Sequence, residues 1–333
     1  MELDRRALLA ITAGAAVLRP GQAGAQTAPP ANGGALPAGL PQPHESIDLW
    51  PGPAPGMPAN APAEVVDERS TDPQLTDRAL RNVRVPRMSV FRPLVPNGAA
   101  VLVTPGGGYK WVVIDKEGYE IGRWLSARGF TVFVLFYRLP GGGWAAGPDV
   151  ALSDAQRAMR LIRHRAAEFA IDPERVAAMG FSAGGHLCAD LATRWDAATY
   201  RPVDAADALS ARPMLAAPIY PVVSMTAPVA HAGSRAELIG AGAGPEREAA
   251  HSPDRNARAG GPPAFIVHAE DDDAVPVENS LMLRAALRAR GVPVETHLFT
   301  HGGHGFGLRR VAGKPAAAWP DLFLAWAKTQ GLY

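Results

Sequence analysis

Val176-Ala177-Ala178-Met179-Gly180-Phe181-Ser182-Ala183-Gly184-Gly185-His186 is an apolar run that ends in G-x-S-x-G and passes at once into a helical pattern. Strand, sharp turn, then helix is the context that gives this pentapeptide a chemical meaning. The turn is tight enough to strain the Ser182 backbone. Gly180 and Gly184 lack the Cβ atoms that would clash where strand and helix pass closely. The serine oxygen is then presented at the strand tip. The helix N-terminus aims free N–H groups and its positive dipole end at the same place, where an oxyanion would form. A glycine-rich turn that merely contains serine has the same pentapeptide, so the partners further along must decide.

Working outward, the flanking segments alternate strand and helix. Residues 82–85 and 88–91 read as strands around Pro86, and 99–104 is a continuous apolar run, as for a strand covered on both faces. Further strands are expected at 131–137, 176–181, 214–219, 264–269 and 294–299. Helical periodicity covers 118–128, 148–169, 277–290 and 319–330. Such alternation predicts an α/β fold, a mostly parallel central sheet with helices on both faces. Functional residues then belong at the carboxyl ends of the strands.

Three residue types meet that expectation. Ser182 lies just past one strand, Asp271-Asp272-Asp273 past 264–269, and His301 and His304 past 294–299. A serine hydroxyl needs an imidazole to take its proton and a carboxylate to hold that imidazole in the right tautomer. Asp272 is the expected acid, because Asp273-Ala274-Val275-Pro276 completes a D-x-x-V-P run. Asp271 and Asp273 read as helix-entry or solvated loop carboxylates. His304 is the expected base, set among glycines in Gly302-Gly303-His304-Gly305-Phe306, with His301 closer to the strand. A metal site from His268, His301 and His304 is the weaker reading, since no acidic or cysteine ligand stands at helical spacing from them.

The loop Pro105-Gly106-Gly107-Gly108-Tyr109 follows the strand at 99–104. The backbone N–H groups of Gly107 and Gly108, with that of Ala183, are the expected oxyanion hole. The loop is not a phosphate cradle, because Lys110 does not complete G-x-x-x-x-G-K-[ST]. Gly240-Ala241-Gly242-Ala243-Gly244-Pro245 follows no strand and reads as a surface loop. Tyr109, Trp111 and Trp144 are candidates for substrate binding, by stacking on sugar rings, against the ordinary role of loop aromatics as packing anchors.

Composition narrows the rest. A net charge of +1 gives nucleic acid or an anionic membrane nothing global to bind. The single cysteine, Cys188, falls in the helix after Ser182 among Leu187, Ala189 and Leu191 and reads as core filler. With 47% hydrophobic residues, 333 residues bury a sizeable core. Arg5-Arg6, the apolar run 7–18 and Ala23-Gly24-Ala25 before Gln26 form an export signal, resembling the twin-arginine type, with a Sec signal as the alternative. The expected organisation is a signal at 1–25, a Pro/Ala/Gly-rich linker at 26–45 and one domain at 46–333. The mature chain is expected outside the cytoplasm, periplasmic or secreted, without stable membrane insertion.

From about residue 49 to 332 the chain resembles the acetylxylan-esterase-like, or BD-FAE-like, branch of the α/β-hydrolase superfamily. The resemblance rests on Leu49-Trp50-Pro51-Gly52, Pro105 to Tyr109, Lys116-Glu117-Gly118-Tyr119 and Tyr137-Arg138-Leu139-Pro140. It continues through Asp154-Ala155-Gln156-Arg157-Ala158, Gly180 to His186, Tyr220-Pro221-Val222, residues 275–280 and Gly303-His304-Gly305-Phe306. The chain order Ser, Asp, His is that of the superfamily. The resemblance implies a serine ester hydrolase that removes acetyl or other small acyl groups from polysaccharides such as xylan, and needs no cofactor. A feruloyl or general small-ester esterase is the alternative; a serine peptidase or a non-catalytic carbohydrate-binding protein ranks lower. Residues 224–261, between the sixth and seventh strands, are expected to form a short, open cap.

Overall fold

The computed structural model describes residues 41–333. The expected export signal and most of the expected linker lie outside the described residues. In chain order the strands are β1 (Glu45–Asp48), β2 (Val65–Glu68), β3 (Arg78–Arg81), β4 (Arg87–Phe91), β5 (Ala100–Thr104) and β6 (Val112–Val113). They continue with β7 (Thr131–Phe136), β8 (Val176–Phe181), β9 (Ala216–Ile219), β10 (Ala264–Ala269) and β11 (Val294–Phe299). The helices are α1 (Glu120–Ser126), α2 (Val150–His164), α3 (Ala183–Arg194), α4 (Ala232–Ile239), α5 (Pro245–Ala250), α6 (Glu278–Ala289) and α7 (Trp319–Thr329).

Eight strands form one sheet in the order β1-β4-β7-β5-β8-β9-β10-β11. The β1–β4 and β4–β7 pairs are antiparallel and every later pair is parallel. Burial follows position. Every residue of β5, β7, β8, β9 and β10 is buried, whereas the edge strand β11 is half-buried throughout. Strands covered on both faces therefore read as unbroken apolar runs, and edge strands do not.

The crossovers place the helices. From β5 the chain passes through α1 to β7 on one side, then through α2 to β8 on the other, and continues outward through α3 and α6. Right-handed crossovers that run in opposite directions put their helices on opposite faces. So α1 covers one face and α2, α3 and α6 the other. α7 joins α1, where Trp319 meets Trp124 at 6.0 Å between ring centroids. This is the α/β-hydrolase fold.

Two local differences from the sequence expectation have physical causes. The strand expected at 82–85 lies four residues earlier, as β3, because Asn82 adopts φ +58° and ends it. β3 pairs with β2 and β6 in a separate three-stranded antiparallel sheet. The helix expected over 148–169 stops at His164. Arg165 leaves helical geometry, and a 3-10 turn over Ala166–Phe169 closes at Ala170 with φ +51°. The cap between β9 and β10 carries only α4 and α5, neither longer than eight residues.

One ion pair ties the segment after β7 to α2. Arg138 and Asp154 are buried, with side-chain exposures of 1% and 0%. Asp154 accepts from the Arg138 guanidinium, the Arg138 backbone N–H (2.8 Å) and the Trp50 indole (2.9 Å). Removing one member strands the other charge in the core. Asp154→Ala is expected to lower stability by about 3–5 kcal/mol, read from the midpoint of denaturant unfolding.

Candidate active site

Ser182 sits at the β8–α3 turn with φ +53° and ψ −120°, a conformation costly for any residue with a side chain. It is held by close backbone packing. A Cβ on Gly184 would lie 2.1 Å from the Thr104 carbonyl oxygen and 2.3 Å from that of Pro105. Glycine is therefore the residue that fits between the end of β5 and the first turn of α3. The Thr104 hydroxyl donates to the Gly184 carbonyl at 2.8 Å and locks the same seam.

The side chain of Ser182 meets the other two strand-tip residues in one line. Ser182 Oγ is 2.8 Å from His304 Nε2, and His304 Nδ1 is 2.7 Å from Asp272 Oδ2. A carboxylate oxygen can only accept, so Nδ1 carries the proton and Nε2 offers its lone pair to the serine hydroxyl. Asp272 Oδ1 accepts the backbone N–H groups of Ala274 (3.0 Å) and Val275 (2.9 Å). Burial would raise the Asp272 carboxyl. Hydrogen bonds from His268 and His304 outweigh it and hold the group well below the usual carboxylate range.

The loop that carries His304 is tied down on three sides. Asp271 Oδ1 accepts the N–H groups of Gly302 (2.8 Å) and Gly303 (2.7 Å), so this exposed loop carboxylate also clamps the histidine loop. Lys314 Nζ donates to the Gly302 carbonyl at 3.0 Å. The Tyr220 ring stands edge-on to the His304 imidazole, 5.3 Å between centroids. Tyr220 Oη accepts from Gly307 N–H (3.0 Å) and donates to Glu117 Oε1 (3.1 Å). Glu117 Oε2 in turn accepts the Gly106 N–H at 2.9 Å. One buried carboxylate thus joins the glycine loop after β5 to the histidine loop after β11.

With Gly106 so engaged, Gly107 and Gly108 remain. Among the described residues no protein acceptor takes the N–H of Gly107, Gly108 or Ala183. Gly107 has φ +131°, and a Cβ there would lie 2.2 Å from the Trp111 carbonyl oxygen. From the cap, Ser234 Oγ is the nearest atom to a Cβ built on Gly108, at 3.9 Å. Ser234 is hydrogen-bonded to His231, which caps α4. Burial, and then the nearby His304, disfavours protonation of His231.

Two of the three aromatic candidates face inward. Tyr109 is 1% exposed, and its Oη lies 2.7 Å from His186 Nδ1. His186 Nε2 faces the His251 carbonyl at 2.8 Å, so Nε2 carries the proton and Tyr109 donates to Nδ1. Trp144 is buried under the Arg138 guanidinium, 4.9 Å from its ring centroid. Neither ring can stack on a sugar; both are packing anchors. Trp111 is half-buried, with Lys110 Nζ 5.4 Å from its ring centroid. Cys188 is buried, its thiol pushed up to about 12 by that burial, as a core filler should be. The histidines weighed as metal ligands diverge. His268 and His304 both turn to Asp272, while His301 is exposed beside Asp271.

Three residues of this constellation carry no role in the sequence reading, Glu117, Tyr220 and His231, and a fourth, His268, enters it only as a metal candidate. Glu117 and Tyr220 stand in quoted motifs, but only the structure supplies their partners. His268 sits in the middle of an apolar strand, where a histidine reads as core; its position four residues before Asp272 is the one usable signal.

Comparison with known proteins gives the family and the fold. The BD-FAE family model matches residues 95–287. The acetylxylan esterase of Xylanibacter ruminicola is 33% identical over 226 residues, covering 67% of this chain and 44% of that protein. The endo-1,4-beta-xylanase B of Butyrivibrio fibrisolvens is 36% identical over 205 residues, covering 62% of this chain and 32% of that protein. This chain therefore spans less than half the length of these two curated relatives. A crystal structure of an acetyl ester-xyloside bifunctional hydrolase from Caldicellulosiruptor lactoaceticus superposes with a TM-score of 0.70 at 33% identity, covering 89% of this chain and 99% of that one. Thermogutta terrifontis esterase 2 shares the fold at 24% identity and a TM-score of 0.60, covering 80% of this chain and 95% of that one.

The Tyr109–His186 contact yields two tests. Tyr109→Phe leaves His186 Nδ1 buried without a donor and is expected to cost about 1–3 kcal/mol of stability. Unchanged stability with weakened sugar affinity would restore the stacking role. Burial also holds His186 down to about 4, below its ordinary 6.5. The unfolded chain then takes up a proton that the fold refuses. The stabilisation this gives is complete above about pH 6.5 and is lost as pH falls toward 4, by on the order of 3 kcal/mol. Urea unfolding across that window, with His186→Gln beside the parent, reads the contribution.

Proposed function

This chain belongs to the BD-FAE family, and on that premise we propose that it is a serine carboxylic-ester hydrolase acting on acylated carbohydrate, with acetylated xylan as the expected substrate class. The observation that carries the proposal is the unbroken line Ser182 Oγ–His304 Nε2, His304 Nδ1–Asp272 Oδ2 at 2.8 and 2.7 Å. His304 takes the Ser182 proton as Oγ attacks the ester carbonyl carbon. The carbonyl oxygen becomes an oxyanion, held by the free N–H groups of Gly107, Gly108 and Ala183. The intermediate collapses, the C–O bond to the sugar breaks, and His304 returns the proton to the departing hydroxyl. Water then gives its proton to His304 and attacks the acyl-serine. The second intermediate collapses, the acyl C–Oγ bond breaks, and His304 returns the proton to Ser182 as the carboxylic acid leaves.

Two further observations support a sugar substrate. Three relatives at 33–36% identity are named for acetyl esters, xylan or xylosides. The cap is two short helices, and a low wall suits a bulky polymer better than a deep lid would. Half-buried Trp111, beside Gly107, is the remaining aromatic candidate for sugar contact. Export fits such a substrate, with residues 1–25 as the signal, 26–45 as a linker and 46–333 as the enzyme.

The test is acetate release from acetylated xylan by residues 26–333, with Ser182→Ala alongside. The parent should release acetate, and the variant should lose activity by a factor on the order of 10³ or more while keeping its unfolding midpoint. A fluorophosphonate probe should label the parent at Ser182 alone. Activity retained by the variant would discard the nucleophile. Hydrolysis of 4-nitrophenyl acetate without acetate from xylan would keep the mechanism and move the substrate to feruloyl or other small esters.

A further inference from the structure

Asp272 serves two histidines through one oxygen. His268 lies on β10 and is fully buried. Its Nε2 stands 3.1 Å from Asp272 Oδ2, the same oxygen that His304 Nδ1 reaches at 2.7 Å. Nε2 also stands 3.1 Å from the Val275 carbonyl. Both neighbours of Nε2 accept, so the proton is on Nε2, and Nδ1 receives the Ser280 hydroxyl of α6 at 2.7 Å. With Oδ1 taken by two backbone N–H groups, the carboxylate makes four hydrogen bonds and has no rotational freedom left.

We infer that His268 is a positioning residue for the reaction: it shares Asp272 Oδ2 with His304, fixes the carboxylate in line with the imidazole, and moderates its pull on the imidazolium that forms during catalysis. The inference rests on the esterase reading of Ser182, His304 and Asp272. An oxygen that accepts two N–H donors has less negative charge to offer either one. Without His268 the full charge faces His304, the imidazolium is favoured, and the neutral base forms at higher pH. The carboxylate also becomes free to turn, which weakens alignment.

Other charged and titratable groups face this pair and stay constant in the comparison. His231 approaches from the cap and Tyr220, with Glu117 behind it, from the end of β9. Asp271 and His301 flank the loop, and a Cβ built on Gly305 would lie 3.1 Å from Lys116 Nζ. None of them touches Asp272 Oδ2 among the described residues.

The experiment compares parent, His268→Leu and His268→Gln on 4-nitrophenyl acetate across pH 5–9. His268→Leu is expected to lose about tenfold in kcat/KM, with KM little changed. Its acid limb is expected to move up by about half to one pH unit. Glutamine can restore an N–H to Oδ2, so His268→Gln should return both readouts toward the parent. A folded leucine variant with the parent's profile overturns the inference, and so does a loss that glutamine leaves unrescued. A measurement on the parent needs neither variant to fold. In ¹⁵N-histidine-labelled protein, His268 should carry its proton on Nε2, and that signal should shift as His304 titrates. A proton on Nδ1, or an unmoved signal, overturns the sharing. If the parent hydrolyses no ester, the esterase reading fails, while the labelled spectrum still decides whether the oxygen is shared.

Discussion

The active centre depends on how closely the end of β5 approaches the first turn of α3. A Cβ at Gly184 would press 2.1 Å from the Thr104 carbonyl, so the seam closes only on glycine, and the Thr104 hydroxyl then bolts it to the Gly184 carbonyl. That closeness sets the spacing between the glycine loop that follows Thr104 and the serine that precedes Ala183. It also makes the unfavourable backbone of Ser182 tolerable, because sheet and helix over-determine it from both sides. The nucleophile's position is thus a packing consequence before it is a chemical one.

Around this seam the polar groups form relays that each join two loops. Glu117 connects the glycine loop to Tyr220 and so to the backbone after His304. Asp271 takes the two N–H groups just before His304, and Asp272 takes the ring. Two adjacent carboxylates therefore hold backbone and side chain of the same short loop. Buried hydrogen bonds of this kind contribute little net stability when complete, but leaving a partner unpaired is expensive, so the loops are held to one arrangement.

The legible and illegible parts of this design separate on physical grounds. Strands β8, β10 and β11 stand where the sequence places them, to the residue, because apolar runs bounded by turn residues leave little choice. The structure brings the three strand-tip residues together, and the sequence points to each through its neighbours, Asp272 through its D-x-x-V-P run and His304 through its glycines. The small sheet of β2, β3 and β6 was not, since Val65 and Val66 are exposed and no alternation marks a buried face. Tyr109 and Trp144 were misread because a loop aromatic does not reveal which way it points; Tyr109, with φ +61°, turns inward to His186. His268, weighed in the sequence only as a metal ligand, stands in an otherwise apolar strand, and only the turn after β10 brings Asp272 back to it.

Cys188 acquires a use from its position. A Cβ built on Gly180 would lie 2.7 Å from Cys188 Cβ and 2.2 Å from the Gly184 carbonyl, which puts the thiol directly under the nucleophile turn. Buried and held protonated, it is closed to alkylating reagents while the seam is shut. It is the chain's one cysteine, so its modification rate reads every opening that uncovers it, whether of this seam or of the whole fold. Compared with the rate of global unfolding, labelling of this thiol gives a readout of opening near the nucleophile turn, by mass and without any substrate.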